Sequence, residues 1–259
     1  MAKTEVFRDR WALVTGASSG IGRELARELA RRGAKLILTA RRQERLEALA
    51  AELNANGTET RTIAADLNDP EAPQRIHDAT EGSGIEVDVL VNNAGLGQFG
   101  AFISSEVRQE LSQVRVNCEA VVHLSRLFVP HMVKRRRGWV LVTASTAGYQ
   151  PIPYCNTYAA TKAFDRFFAL GMAAEVEPFG VEVTALCPGT TETEFFDAAH
   201  ANAPKGQAAP EVARRALDAL ARGRRIVIPN MKNRIRATLV QFAPVRAVTR
   251  AIRKFASPR

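Results

Sequence analysis

Short apolar runs alternate with amphipathic, charge-rich stretches along most of this chain, and that alternation restricts the possible folds more than any other feature. Trp11-Ala12-Leu13-Val14-Thr15 is too short and too uniformly apolar for a surface helix, so it predicts a strand buried on both faces. A glycine-rich turn from Gly16 to Gly22 leads into a helix that Gly33 stops. Further strands are expected at Ala34 to Thr39, Glu59 to Ala65, Val87 to Val91, Trp139 to Thr143, Val181 to Leu186 and Arg225 to Ile228. Helices are expected from Arg42 to Ala55, from Pro70 onward, from Ser105 to Arg136 with Pro130 kinking or splitting it, and from Thr157 to Glu177.

Strands that alternate with helices build a parallel sheet with helices on both faces. The expected fold class is therefore α/β, a single doubly wound, Rossmann-like domain of about seven strands. It occupies residues 1–230, with a substrate lid over 189–206, and a basic amphipathic extension follows over 231–259. A chain of 259 residues with 46% hydrophobic content can bury a full core as one domain.

The net charge of +9 raises the question of nucleic acid, which its distribution answers. Residues 205–259 carry +12 while the first 204 carry −3, so the globular body is nearly neutral. No nucleic-acid motif or aromatic interleaving accompanies the basic tail, and nucleic acid is not expected as a partner. Cys118, Cys155 and Cys187 are widely spaced and match no metal pattern, so they read as small buried residues and no metal is expected. No run of eighteen apolar residues occurs, and Met1-Ala2-Lys3-Thr4-Glu5 lacks the apolar core of a signal peptide. A cytoplasmic protein is expected.

Two local patterns carry chemistry. Gly16, Gly20 and Gly22 follow the first strand and open a helix, where glycine lets the backbone approach a pyrophosphate and the helix N-terminus offers unpaired N–H groups. Tyr158 and Lys162, four residues apart, share one helix face. A phenol with an ordinary pKa of about 10 is a poor acid or base at neutral pH, and one ammonium at roughly 5 Å is expected to lower it by about two units.

Taken together, Thr15 to Gly22, Asn92-Asn93-Ala94-Gly95, Asn117, Ser145, Tyr158-x-x-x-Lys162 and Pro188-Gly189-x-x-x-Thr193 resemble the short-chain dehydrogenase/reductase family. The resemblance covers about residues 8–230 and implies hydride transfer between a nicotinamide and a carbonyl or alcohol. It implies Tyr158 as proton donor, Ser145 as the second hydrogen bond on the substrate oxygen, and Lys162 as the charge beside Tyr158 that also contacts the nicotinamide ribose. Asn117 is implied to hold, through its backbone, a water that relays protons to Lys162. Cofactor contacts are implied for Gly16, Ser18, Ser19, Gly20, Ile21 and Gly22 in the first turn, and for Asp66 and Leu67 after the third strand. They are also implied for Asn93, Ala94 and Gly95 after the fourth, for Pro188, Gly189 and Thr193 after the sixth, and for Tyr158 and Lys162 themselves, with Asn92 as support.

At the end of the second strand, where an acid would accept the free 2′-hydroxyl of NAD, stands Ala40, followed by Arg41 and Arg42. Paired guanidinium groups suit a 2′-phosphate, so the expected cofactor is NADP(H). The segments 96–102, 149–154 and 193–196 should border the substrate and are mostly apolar or aromatic, which favours a hydrophobic carbonyl or alcohol such as an acyl, lipid or steroid-like compound. A catalytically idle NADP-binding sensor or scaffold is the alternative from another class. Phe164, Phe167, Phe168 and Met172 exceed what one helix face buries, so a homodimer or homotetramer is expected. In the tail, Val245, Val248, Ile252 and Phe255 recur at helical spacing among arginines and no acid follows Asp218. Such a helix suits peripheral contact with an anionic membrane, and it equally suits packing over the cleft or against a second subunit.

Overall fold

The computed structural model describes residues 5–195 and 206–256 of the chain. The stretch 196–205, which holds most of the expected lid and Phe196, lies outside the described residues, as do the ends of both termini and the side chain of Phe255.

Seven strands form one parallel sheet in the order β3-β2-β1-β4-β5-β6-β9. They are β1 (Trp11–Thr15), β2 (Lys35–Ala40), β3 (Thr60–Ala64), β4 (Val87–Asn92), β5 (Gly138–Thr143), β6 (Val181–Leu186) and β9 (Ile226–Val227). The strand order reverses between β1 and β4, so the connections leaving these two strands diverge and open a crevice beyond their C-terminal ends. The expected α/β doubly wound sheet is thus present, its last strand reduced to two residues paired with Ala185 and Leu186.

The helices α1 (Gly20–Arg31), α2 (Gln43–Ala55), α3 (Ala72–Asp78), α4 (Val107–Val114), α5 (Ala120–Arg135) and α6 (Asn156–Val176) lie where the periodicity places them. Leu13, Leu90, Val140 and Val183 face a core shared with α5 and α6, whereas Val14, Leu36, Val91 and Leu141 face one shared with α1 and α2. This two-sided burial explains the unbroken apolar runs of the strands.

Three features depart from the expectation. Pro130 does not split α5, because it sits on the exposed side while Leu124, Phe128, Val129 and Met132 anchor the opposite face in the core. The break in the long helical region falls earlier, at a π-helical turn, Arg115–Glu119. A helix not anticipated, α7 (Ala209–Leu220), packs along α1 through Val212, Ala213, Ala216, Leu217 and Leu220, and Arg32 pairs with its Asp218 at 2.7 Å. The signal was there in the period of those five residues behind Pro210.

Two short strands, β7 (Thr191–Glu192) and β8 (Gln207–Ala208), pair in parallel and bring residues 191 and 207 side by side. The tail forms α8 (Met231–Leu239) and α9 (Val245–Ala256). No helix among the described residues is long and apolar enough to cross a membrane.

Candidate active site

The crevice at the strand ends is a cleft of about 800 Å³. Its floor begins at Thr15, the last residue of β1, whose hydroxyl accepts the backbone N–H groups of Asn93 and Ala94, each at 2.9 Å, and donates to Val91 O at 3.1 Å. Asn93 Nδ2 donates to Thr15 O at 3.0 Å, and Asn92 Nδ2 reaches Ser125 of α5 at 3.1 Å. These bonds lock the turn after β4 against the turn after β1, which brings the backbones very close. A Cβ at Gly22 would overlap Gly16 O and the Asn93 amide, so the first turn tolerates no side chain there. Gly16 and Gly20 adopt φ of +67° and +54°, a region that favours glycine.

Gly16, Ser18, Ser19, Gly20, Ile21 and Gly22 line the cleft in front of the α1 N-terminus, where no acid occupies the first turn and Ser19 makes no side-chain cap. Arg42, the residue before α2, extends Nη2 to Ser18 Oγ at 3.1 Å and Ser19 Oγ at 3.0 Å, and Arg41 lies exposed on the same rim. One guanidinium and two hydroxyls therefore meet beside the phosphate-sized opening of the glycine turn, a donor set that fits a further phosphate. Glu194 faces them: Arg45 Nη1 reaches it at 2.6 Å and Arg42 Nη1 at 3.4 Å. Arg45 first and then Arg42 hold the Glu194 carboxyl below its usual range. Asp66 and Leu67 form the neighbouring wall, and Ala94, Gly95, Pro188, Gly189 and Thr193 border the remainder.

The polar side chains of the inner cleft, Thr143, Ser145, Tyr158 and Lys162, come from the end of β5, the turn after it and α6, and Asn117 of the π turn lies behind them rather than in the cleft lining. Asn117 is fully buried at the π turn, where it donates to Leu96 O at 2.8 Å and to Thr161 Oγ1 at 2.9 Å and accepts from Leu96 N at 2.8 Å. Its side chain is thus wholly engaged in joining the turn after β4 to α6. Ser145, just after β5, accepts Ala147 N at 3.1 Å as cap of the 3-10 turn Thr146–Tyr149, donates to Pro188 O at 3.4 Å, and lies close enough to the Tyr158 phenol to favour its ionised form. Lys162 is buried, with Nζ donating to Thr143 O and to Asp165 Oδ2, each at 2.8 Å. Nζ lies 5.9 Å from the centre of the Tyr158 ring.

The expected fall in the Tyr158 pKa does not occur in this state. Burial raises it, outweighing the opposing effects of the Lys162 charge and the nearby Ser145 hydroxyl. Burial alone would lower the Lys162 pKa, but the charges of Asp165 and Tyr158 raise it overall. The expectation counted the Lys162 charge alone, whereas burial of the phenol itself is the larger effect and the Asp165 charge adds to it. Asp165 was missed in the sequence, although an acid three residues after Lys162 on an otherwise apolar helix face was its signal.

Cys155 and Cys187 are buried as expected, whereas Cys118 is only half-buried. Burial pushes the Cys118, Cys155 and Cys187 thiols up to about 12. Of the expected substrate borders, Leu96, Phe99, Gln150, Ile152 and Phe195 line the cleft with Cys155, while Gln98, Gly100, Phe102 and Tyr154 surround a small side recess. Phe195 packs on Tyr158 with ring centres 5.4 Å apart and presses on Gly97 so tightly that a Cβ there would meet its ring.

Comparison with known proteins agrees with this geometry. The family model described as short chain dehydrogenase matches residues 10–204. A very-long-chain 3-oxoacyl-CoA reductase-B of Danio rerio is 35% identical over 191 residues, 72% of this chain and 61% of its own. A serine 3-dehydrogenase of Agrobacterium fabrum is 38% identical over 185 residues, 71% of this chain and 72% of its own. The chain spans about half to three fifths of the length of the 3-oxoacyl-CoA reductases it matches. Among solved structures, a short-chain dehydrogenase from Sphingobium yanoikuyae in complex with NADPH superposes with a TM-score of 0.84 at 31% identity, covering 90% of this chain and 92% of the other. Another, from Burkholderia phymatum in complex with NAD, gives 0.82 at 26% identity, covering 90% and 93%.

Proposed function

The chain belongs to the short-chain dehydrogenase/reductase family, and on that footing we propose that it is an NADP(H)-dependent oxidoreductase of a hydrophobic carbonyl or alcohol. The observation that carries this reading is the meeting of Ser145, Tyr158 and Lys162 at the inner end of a cleft whose substrate side is lined by Leu96, Phe99, Ile152 and Phe195. Among the described residues that line the cleft, the basic ones are Arg41 and Arg42 at the cofactor's rim and Lys162 itself, and the substrate side is mostly apolar. A long-chain 3-oxoacyl thioester, the class named for several relatives, heads the substrates to test.

NADP(H), when bound, supplies or accepts the hydride at the carbonyl carbon. The glycine turn, Ser18, Ser19 and the α1 N-terminus hold its phosphates, Arg41 and Arg42 select the 2′-phosphate, and Asp66 with Leu67 borders the adenine. Tyr158 donates a proton to the carbonyl oxygen as negative charge builds there, and Ser145 donates a second hydrogen bond to that oxygen. The phenol is protonated and so able to donate; burial makes it a weaker acid, and the charge of Lys162 offsets part of that effect. Lys162 has three N–H donors and spends two on Thr143 O and Asp165, which leaves one for a ribose hydroxyl. Asn117 holds the turn after β4 in place, and its backbone supports the water that refills the proton path through Lys162.

Exposed apolar side chains on α4 and α6, among them Leu111, Val114, Phe164 and Phe167, support assembly as a homodimer or homotetramer. Three free cysteines fit a reducing compartment, which supports the cytoplasm. The deciding experiment follows NADPH absorbance over a panel of hydrophobic ketones, aldehydes and acyl thioesters. Turnover of an apolar member supports the reading, whereas NADPH binding without turnover of any member would favour the idle sensor.

A further inference from the structure

The helices α8 and α9 leave an apolar line uncovered. Met231, Ile235 and Leu239 recur every four residues and so run along one side of α8, exposed by 64%, 53% and 64%. Phe242 and Val245, exposed by 84% and 63%, continue the line towards α9. The inner side of α8 is different: Ala237 is buried, and Asn233 abuts Gly189 so closely that a Cβ at Gly189 would overlap its amide.

Cations flank this line. Lys232, Arg234 and Arg236 are exposed on α8, and Arg246, Arg250, Arg253 and Lys254 are exposed on α9. Among the described residues no carboxylate pairs with any of these, although most arginines elsewhere in the fold have one. The sequence agrees, since no acid follows Asp218. α9 is also the most strongly amphipathic helix of the described residues, with Val248 and Ile252 half-buried on its apolar side and its arginines exposed.

Few occupants satisfy both features. A second copy of this face would bring seven cations against seven, which is repulsive. A nucleic acid would take the cations and leave Leu239 and Phe242 in water. An anionic lipid surface takes both, with phosphates meeting the arginines and the acyl boundary burying the apolar line. We infer that α8 and α9 form a docking surface on which the protein lies against an anionic membrane. The inner side of α8 contacts the Thr146–Tyr149 turn and Gly189, two borders of the cleft, so docking holds the cleft beside the bilayer. Delivery of a lipid-borne carbonyl compound from that bilayer rests on the reductase reading above; the docking itself does not.

The test is co-sedimentation of the full chain with vesicles of phosphatidylcholine alone or mixed with phosphatidylglycerol, at low and high salt. Partitioning should be at least about tenfold stronger on the anionic vesicles and should fall as salt rises. Leu239→Ser with Phe242→Ser should weaken it about tenfold or more by removing apolar burial. Arg246→Glu with Arg250→Glu should abolish it, and both variants change exposed residues, so melting temperatures should stay near that of the parent. Equal sedimentation with both vesicle types, or none, would overturn the docking whether or not the reductase assay succeeds. Loss on charge reversal with no effect of the serine variant would also overturn it, pointing to an acidic protein as the partner.

Discussion

Lys162 and Asp165 lie three residues apart on α6 with both side chains buried, and their charged ends meet at 2.8 Å. Lys162 bonds Asp165 Oδ2, and Oδ1 has no hydrogen-bond partner among the described residues, so this carboxylate is given over to the lysine. The pair places a negative charge behind the positive one that faces Tyr158. Its effect is to secure the lysine's protonation while weakening the pull of that charge on the phenol.

Replacing Tyr158 by Phe removes the proposed proton donor and leaves the ring and its contact with Phe195 intact. We expect kcat to fall by at least about a hundredfold with cofactor affinity nearly unchanged. Steady-state kinetics with separately titrated NADPH binding checks this, and a variant retaining a tenth of the activity refutes the role.

Asp165→Asn keeps an oxygen that can accept from Lys162 Nζ but removes the negative charge. Over the pH range in which Lys162 keeps its proton, its field on Tyr158 is no longer offset, so the Tyr158 pKa should fall. Reduction uses the protonated phenol, so its rate should be flat through neutral pH in the parent and decline only on the alkaline side. In the variant that decline should begin at lower pH, and the rise of the oxidation rate with pH should move the same way. Cys118 and Cys187 also face this pair, but burial keeps both thiols neutral across the range, so they contribute no competing limb. A pH profile that stays in place, or moves to higher pH, would sink the account.

Arg42 is held between Ser18 and Ser19 with its remaining contact to Glu194, and Arg41 stands beside it. A charge-assisted bond to a phosphate contributes about 1.5 to 3 kcal/mol, or roughly ten- to a hundredfold in affinity. Arg42→Ala should therefore weaken NADPH by about that factor and leave NADH within about twofold. Arg41→Asp should go further towards NADH, since the acid repels a 2′-phosphate and accepts a free hydroxyl. The ratio of kcat/KM for the two cofactors is the measurement; an unchanged ratio would locate the choice elsewhere.

Much of this fold is legible because the inner strands are buried on both faces and read as largely apolar runs, Val87 to Val91 and Val181 to Leu186 among them, whereas the edge strand β3 is half-exposed. The glycine turn and the Tyr158/Lys162 pair are legible because their chemistry depends on local spacing. What escapes the sequence depends on partners that are distant or on burial. α7 was overlooked because Val212, Ala213 and Leu217 acquire meaning only against α1, and the π turn at Asn117 has no propensity signature. The rise of the Tyr158 pKa follows from desolvation, which a sequence does not display. Arg42 could be suspected of binding phosphate from Ala40 alone, but its bonds to two serines 23 and 24 residues earlier could not be foreseen.

The exposed face of α4 and α6 makes the last prediction. Val107, Leu111 and Val114 lie along α4, exposed by 71%, 48% and 42%, and Phe164 and Phe167 on α6 by 40% and 66%. α4 packs beside α6, so the five can form one apolar patch. Phe168 and Met172, by contrast, turn inward against the core, and Phe164 stacks on Phe168 at 5.7 Å. Each large side chain buried between subunits contributes on the order of 1.5–3 kcal/mol, so a symmetric contact doubles the gain from every residue. The protein should sediment as a dimer or larger at micromolar concentration. Leu111→Asp with Phe167→Asp should shift it towards monomer, because the buried carboxylates would lack partners, while the fold of the separated subunit persists. A parent protein that sediments as a monomer would remove the basis for assembly through this face.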